Sequence, residues 1–270
     1  ATDNSNDAGI DVAGAGDGGS VVLRAPRIGA SEVAVTDASV RIAGASRITL
    51  EAFKNYSGSN VGTVFNSARG EAATFMANAA TIESRLGRDS DARFHVVPGI
   101  DITSSGNLTL ASNLDLMNER YDGEPGVLSL RAAGNLAING SLSDGIAFQT
   151  FIDPSSGEEF AELGERDRVQ SGPSWSYRLT AGADLDSADI TATRAGSGDV
   201  VVAANRHVRT GTGALDITAG GQLRLAGAGA SIYTAGEQRG TGSFDPTLTE
   251  GLLRADYLYH GGNIRIDTQG

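Results

Sequence analysis

A five-residue phrase, glycine followed by x, apolar, x and apolar, occurs eight times along the chain with Val, Leu or Ile at both apolar positions. It reads GSVVL at 19–23, GNLTL at 106–110, GVLSL at 126–130, GNLAI at 134–138, GDVVV at 198–202, GALDI at 213–217, GQLRL at 221–225 and GNIRI at 262–266. Strand side chains point alternately to opposite faces, so each copy predicts a short strand that starts at a turn and carries its apolar residues on one face. No single copy can bury that stripe. The copies must stack on one another, which is a solenoid. Such a scaffold presents long surfaces rather than one deep catalytic pocket.

Composition agrees with thin, aliphatic strands joined by many tight turns. Of 270 residues, 37 are Gly, 6 are Pro and 6% are aromatic, while 40% are hydrophobic, which is enough for a sizeable core. The net charge of −12, with the 21 basic residues scattered, argues against nucleic-acid binding, which needs clustered Lys and Arg. No apolar run approaches the roughly 20 residues of a membrane span, so no membrane insertion is expected. The absence of cysteine excludes disulfides and thiolate metal sites, and it fits export through an oxidising compartment. The first residues lack a signal-peptide pattern and the last copy stops mid-pattern, so the chain reads as one domain over 1–270, cut from a longer protein.

Strand candidates run around Val21–Leu23, Val33–Val35, Val40–Ile42 and Ile48–Leu50, and again through Ile100, Leu108, Leu114, Leu128, Leu136 and Leu142. Copies at 126 and 134, and at 213 and 221, lie 8 residues apart, which reads as two strands meeting at one corner. Copies at 106 and 126 lie 20 apart, which reads as a full turn of a three-faced coil. Roughly 160 residues in coils of roughly 20 then give about eight rungs and a length of about 40 Å.

Three insertions interrupt the pattern, at about 53–98, 143–177 and 236–261. In the first, Phe75, Met76, Ala79, Ile82 and Leu86 recur at helical spacing and predict an amphipathic helix near 68–86 that covers an apolar flank. The second holds Phe151, Phe160 and Trp175, and the third Tyr257 and Tyr259. Loops that interrupt a repeat emerge on its surface, so these five aromatics are the candidate interaction residues. The alternative is that they fold back onto the scaffold. Asn107, Asn135, Asn263 and Asp199 each follow a motif glycine and read as turn residues bonded to their own backbone.

Nothing in the sequence assembles a catalytic or metal constellation. His95, His207 and His260 lie far apart, and none has a ligand-type partner at metal spacing. Asp184, Asp186 and Asp189 are the best enzymatic candidates, since glycosidases and lyases on such scaffolds gather carboxylates on one face, but solvated turn acids are the simpler reading. No enzyme activity, metal or cofactor is therefore expected.

The phrases FHVVPGIDI at 94–102 followed by GNLTLASNLDL, PSWSYRLTAGADLDSAD at 173–189, and ASIYTAG at 230–236 followed by GGNIRI resemble the interior domain of filamentous haemagglutinin-type exoproteins, in the order of that family. The resemblance implies an all-β fold, a right-handed parallel β-helix with helical and loop insertions. It also implies a secreted protein of the bacterial cell surface, exported by two-partner secretion through an outer-membrane transporter. No Asn-Pro occurs, so the amino-terminal secretion motifs of the family are absent from these residues. On this reading the chain is a structural and adhesive rod segment whose partner is a receptor or glycan on a host or bacterial cell. The open strand edges of its end rungs invite end-to-end or lateral self-association. The alternatives are a carbohydrate-active enzyme and a passive spacer of a toxin-delivery exoprotein.

Overall fold

The computed structural model describes residues 9–14, 18–38, 40–149, 166–237 and 259–270. All eight motif copies lie on strands. They divide between two sheets. Copies beginning at 19, 126, 213 and 262 lie on an eight-stranded sheet, called here the long sheet, and those at 106, 134, 198 and 221 form a second, four-stranded sheet. A third sheet, built from Leu114–Asp115, Leu142–Ser143, His207–Thr210 and Ser231–Thr234, contains no copy of the motif.

From Phe94 onward the chain passes from long sheet to second to third and back, four times among the described residues, before the strand Ile264–Thr268 rejoins the long sheet. Each strand pairs in parallel with its counterparts in neighbouring circuits. Like residues therefore stack on like. Leu108, Leu136, Val200 and Leu223 form one row, and Ile102, Leu130, Leu179, Ile217 and Ile266 another. Leu136 and Ile138 are fully buried with half-buried Ala137 between them, the alternation that the motif predicts.

The spacing of 8 does step from the long sheet to the second. The spacing of 20 is not a full turn, because Leu108 and Leu128 lie on different sheets. Register sets the circuit at 28 residues where Asn135 lies over Asn107, and at 23 where Gln222 lies over Asp199. Insertions of different size hide any fixed period.

The first insertion is narrower than expected. Strands continue through Ser57 and resume at Phe94, and the helix runs Val61–Met76, followed by a short one at Ala79–Arg85. It starts seven residues before the expected position because Asn60 caps it, its Oδ1 accepting from the backbone N–H of Thr63 at 3.1 Å. Gly62 and Gly70 inside the helix blur its apolar period. The helix packs on the strands Phe94–Ser104 and Leu108–Leu110, burying Phe65, Ala68, Ala72 and Phe75. In the second insertion, Ile146–Gln149 and Arg166–Val169 pair antiparallel.

Candidate functional site

The glycine-flanking side chains of Asn107, Asn135 and Asp199 accept from the next circuit rather than from their own turns. Asn107 Oδ1 accepts from the N–H of Asn135 at 2.9 Å, Asn135 Oδ1 from Asp199 at 2.8 Å, and Asp199 Oδ1 from Gln222 at 2.9 Å. The result is a ladder of amide and carboxyl oxygens running from circuit to circuit along the start of the second sheet. It also explains the motif glycine. A Cβ on Gly134 would stand 2.4 Å from Asn107 Oδ1, and one on Gly221 would stand 2.3 Å from Asp199 Oδ1.

A second ladder runs along the start of the third sheet. Asn113 Oδ1 accepts from the N–H of Ser141 at 2.9 Å, and Ser141 Oγ accepts from the N–H of His207 at 3.1 Å. His207 Nδ1 lies 2.8 Å from Ser231 Oγ. Next to this ladder, on the outward row of the same strands, stand Asp115, Ser143, Arg209 and Tyr233 in register. Arg209 Nε donates to Ser143 Oγ at 2.9 Å and its guanidinium to Tyr233 Oη at 3.1 Å. Between the two rows lies a groove of about 360 Å³, completed by Asn205 and Arg206. This groove is the candidate binding site. Its residues come from three circuits, and it sits on the sheet that the sequence motif does not mark.

The outward surface of the long sheet is chemically opposite. Glu51, fully buried, accepts from Arg24 Nε at 3.0 Å and from Arg178 at 2.7 Å, although Arg178 lies 127 residues away. Arg24 also donates to the buried carboxylate of Asp101 and stacks on Phe53 with its guanidinium carbon 3.7 Å from the ring centroid. Burial pushes the Asp101 carboxyl above the usual range, with Arg24 pulling in the other direction. Arg131 donates to the carbonyl of Asp184, so the segment around 184–194 is strapped across this face.

The expected interaction residues fall into three groups. Phe151, Phe160 and Tyr257 lie outside the described residues. Tyr259 is 46% exposed, and its backbone pairs antiparallel with Glu237. Trp175 is no surface residue. It is fully buried, its ring lies edge-on to Phe65 and Tyr121 at 6.1 and 6.3 Å, and its Nε1 donates to the carbonyl of Glu119 at 2.8 Å. Its backbone N–H donates to Asp144, a buried carboxylate also held by Arg120 at 2.9 Å, which burial shifts upward in pKa. A six-residue stretch dense in turn signals carries the chain back into the core here, where the large ring finds more apolar contact than it would on a loop.

The acidic cluster behaves as turn acids. Asp189 Oδ1 accepts from the N–H and hydroxyl of Thr191, and Asp184 Oδ1 accepts from Arg194 at 3.0 Å. His95 Nδ1 lies 2.9 Å from Glu124 and His260 Nδ1 lies 3.2 Å from Glu237. Among the described residues no group of three His, Asp or Glu is placed to hold a metal ion, and no helix is long and apolar enough to cross a membrane. No protein-family model, curated protein or solved structure matches the chain.

Proposed function

We propose that the chain is a right-handed parallel β-helix, a segment of a filamentous haemagglutinin-type exoprotein, and that it serves as a structural and adhesive rod at a bacterial surface. The observation that carries this reading is the four-fold repetition of the same passage through three parallel sheets, with aliphatic rows inside and side-chain ladders along two of its corners. A β-strand that twists right-handedly and returns to a parallel neighbour favours a right-handed crossover. The resemblance supports the same reading, since FHVVPGIDI and the strand of PSWSYRLTAG lie on the long sheet, on either side of the strand Val127–Ala132. Export through an outer-membrane transporter of a two-partner system suits an unfolded, cysteine-free chain that folds by adding circuits. Attachment to cells then falls to surfaces on the outside of the stack.

The test is retention of the purified, fluorescently labelled chain on epithelial cells and on bacteria. Saturable binding above that of an unrelated acidic protein supports an adhesive rod. Background retention on both surfaces would reduce the chain to a spacer.

A further inference from the structure

We infer that the groove on the third sheet binds a carboxylate-bearing saccharide, a sugar of the uronate class. The ladder decides the chemistry. Asn113 Oδ1, Ser141 Oγ and Ser143 Oγ are each already accepting, from Ser141, His207 and Arg209 respectively. A side-chain amide keeps its NH₂ donors and a hydroxyl keeps its O–H when its oxygen accepts. The groove therefore keeps donors for a ligand in the Asn113 amide, two serine hydroxyls and the guanidinium of Arg206. Asp115 is the carboxylate among its walls, with Oδ1 accepting from the N–H of Met117 at 2.9 Å, which leaves Oδ2 to accept from sugar hydroxyls.

Amide and hydroxyl donors beside a carboxylate and a guanidinium without an ion-pair partner among the described residues match a ligand rich in hydroxyl and ring oxygens that also carries a carboxylate. A neutral sugar gives Arg206 no anion. A densely sulfated polymer brings more than one anion per sugar into a groove that already holds the Asp115 carboxylate. Neighbouring circuits stand about 4.8 Å apart, so the span from Asn113 through Ser141 to His207 is about 10 Å, the length of roughly two sugar units. A volume of about 360 Å³ is within the range of small-ligand sites. At the rim, Asn205 is held at φ 56°, a left-handed conformation uncommon outside glycine.

The inference rests on the adhesive reading only in supposing that the sugar belongs to the surface to which the rod attaches. The experiment is calorimetric titration of the chain with trigalacturonate, its methyl ester and a sulfated oligosaccharide. Expected is binding of trigalacturonate, at least tenfold weaker binding of the other two, and at least a tenfold loss on Arg206→Ala that Arg206→Lys partly restores, both variants keeping the far-ultraviolet circular dichroism of the unaltered chain. Equal binding of the ester, preference for the sulfated sugar, indifference to Arg206→Ala, or no heat at millimolar trigalacturonate would each overturn the assignment. A failure confined to these titrations leaves the rod standing, since retention on cells reads attachment through any part of the chain.

Discussion

The outer surfaces of the long sheet and the third sheet are built from the same kinds of side chain, yet they do opposite things. On the long sheet Glu51 is buried and paired with Arg24 and Arg178, and Asp101 is buried and paired with Arg24, with an aromatic ring beneath the Arg24 guanidinium; Glu51 Oε2 and Asp101 Oδ1 are buried without a hydrogen-bond partner among the described residues. On the third sheet Asp115, Arg206, His207 and the serines line an open groove. The difference lies in what covers each surface. The charges of the long sheet sit under long side chains and a strap, where desolvation makes every missing partner costly. Those of the third sheet keep water as an alternative partner, so they contribute little to stability and remain available to a ligand.

The largest expected effect tests the sealed side. Glu51→Ala leaves Arg178 without its buried carboxylate and Arg24 with Asp101 alone, and should cost about 3–5 kcal/mol, read as a lower urea midpoint. A loss below about 1 kcal/mol would mean that this face is as wet as the other. The ladder along the groove should matter less. Asn113→Ala strands one backbone N–H near the surface and should cost about 1 kcal/mol in the same measurement.

A pH series sharpens the contrast further. Because burial raises the Asp101 carboxyl, the folded chain holds that proton at pH values where the unfolded chain, with a pKa of about 3.9, has lost it. Its contribution is therefore full below about pH 4 and fades as pH rises through the raised folded value. Asp101→Asn is fixed in the neutral form. It should flatten that part of the pH dependence of the urea midpoint and shift stability at neutral pH by less than about 1 kcal/mol. An unchanged slope would place the Asp101 proton elsewhere. The smallest effect belongs to the open side, where Arg206→Ala should leave the urea midpoint within about 0.5 kcal/mol while removing sugar binding.

Much of the strand content was legible because the motif writes the inside of two sheets directly into the sequence: Leu136 and Ile138 are buried where Gly134 announces them. The groove was not legible, for two physical reasons. The third sheet carries strands as short as Leu114–Asp115, too brief for a period to show. Its walls join residues from circuits of unequal length, so Ser141 and His207 meet 66 positions apart. The ladder of the second sheet was hidden as well, since Asn107 and Asn135 read as turn residues while their partners are backbone groups of the next circuit, which no local pattern reveals. Trp175 was misplaced on a surface loop for a related reason, since the pocket formed by Phe65, Tyr121 and Gly126 comes from more than one circuit.

Everything above depends on parallel stacking in the stated register, and the absence of native cysteine allows it to be tested directly. Ala137 lies beside Val201 on neighbouring strands of the second sheet, although 64 positions separate them. Adjacent strands stand about 4.8 Å apart, within reach of a disulfide. The double variant Ala137→Cys/Val201→Cys should oxidise almost completely to an intramolecular disulfide, while Ala137→Cys/Ala203→Cys, two positions out of register, should not. Equal cross-linking of both pairs, or of neither, would contradict the stack.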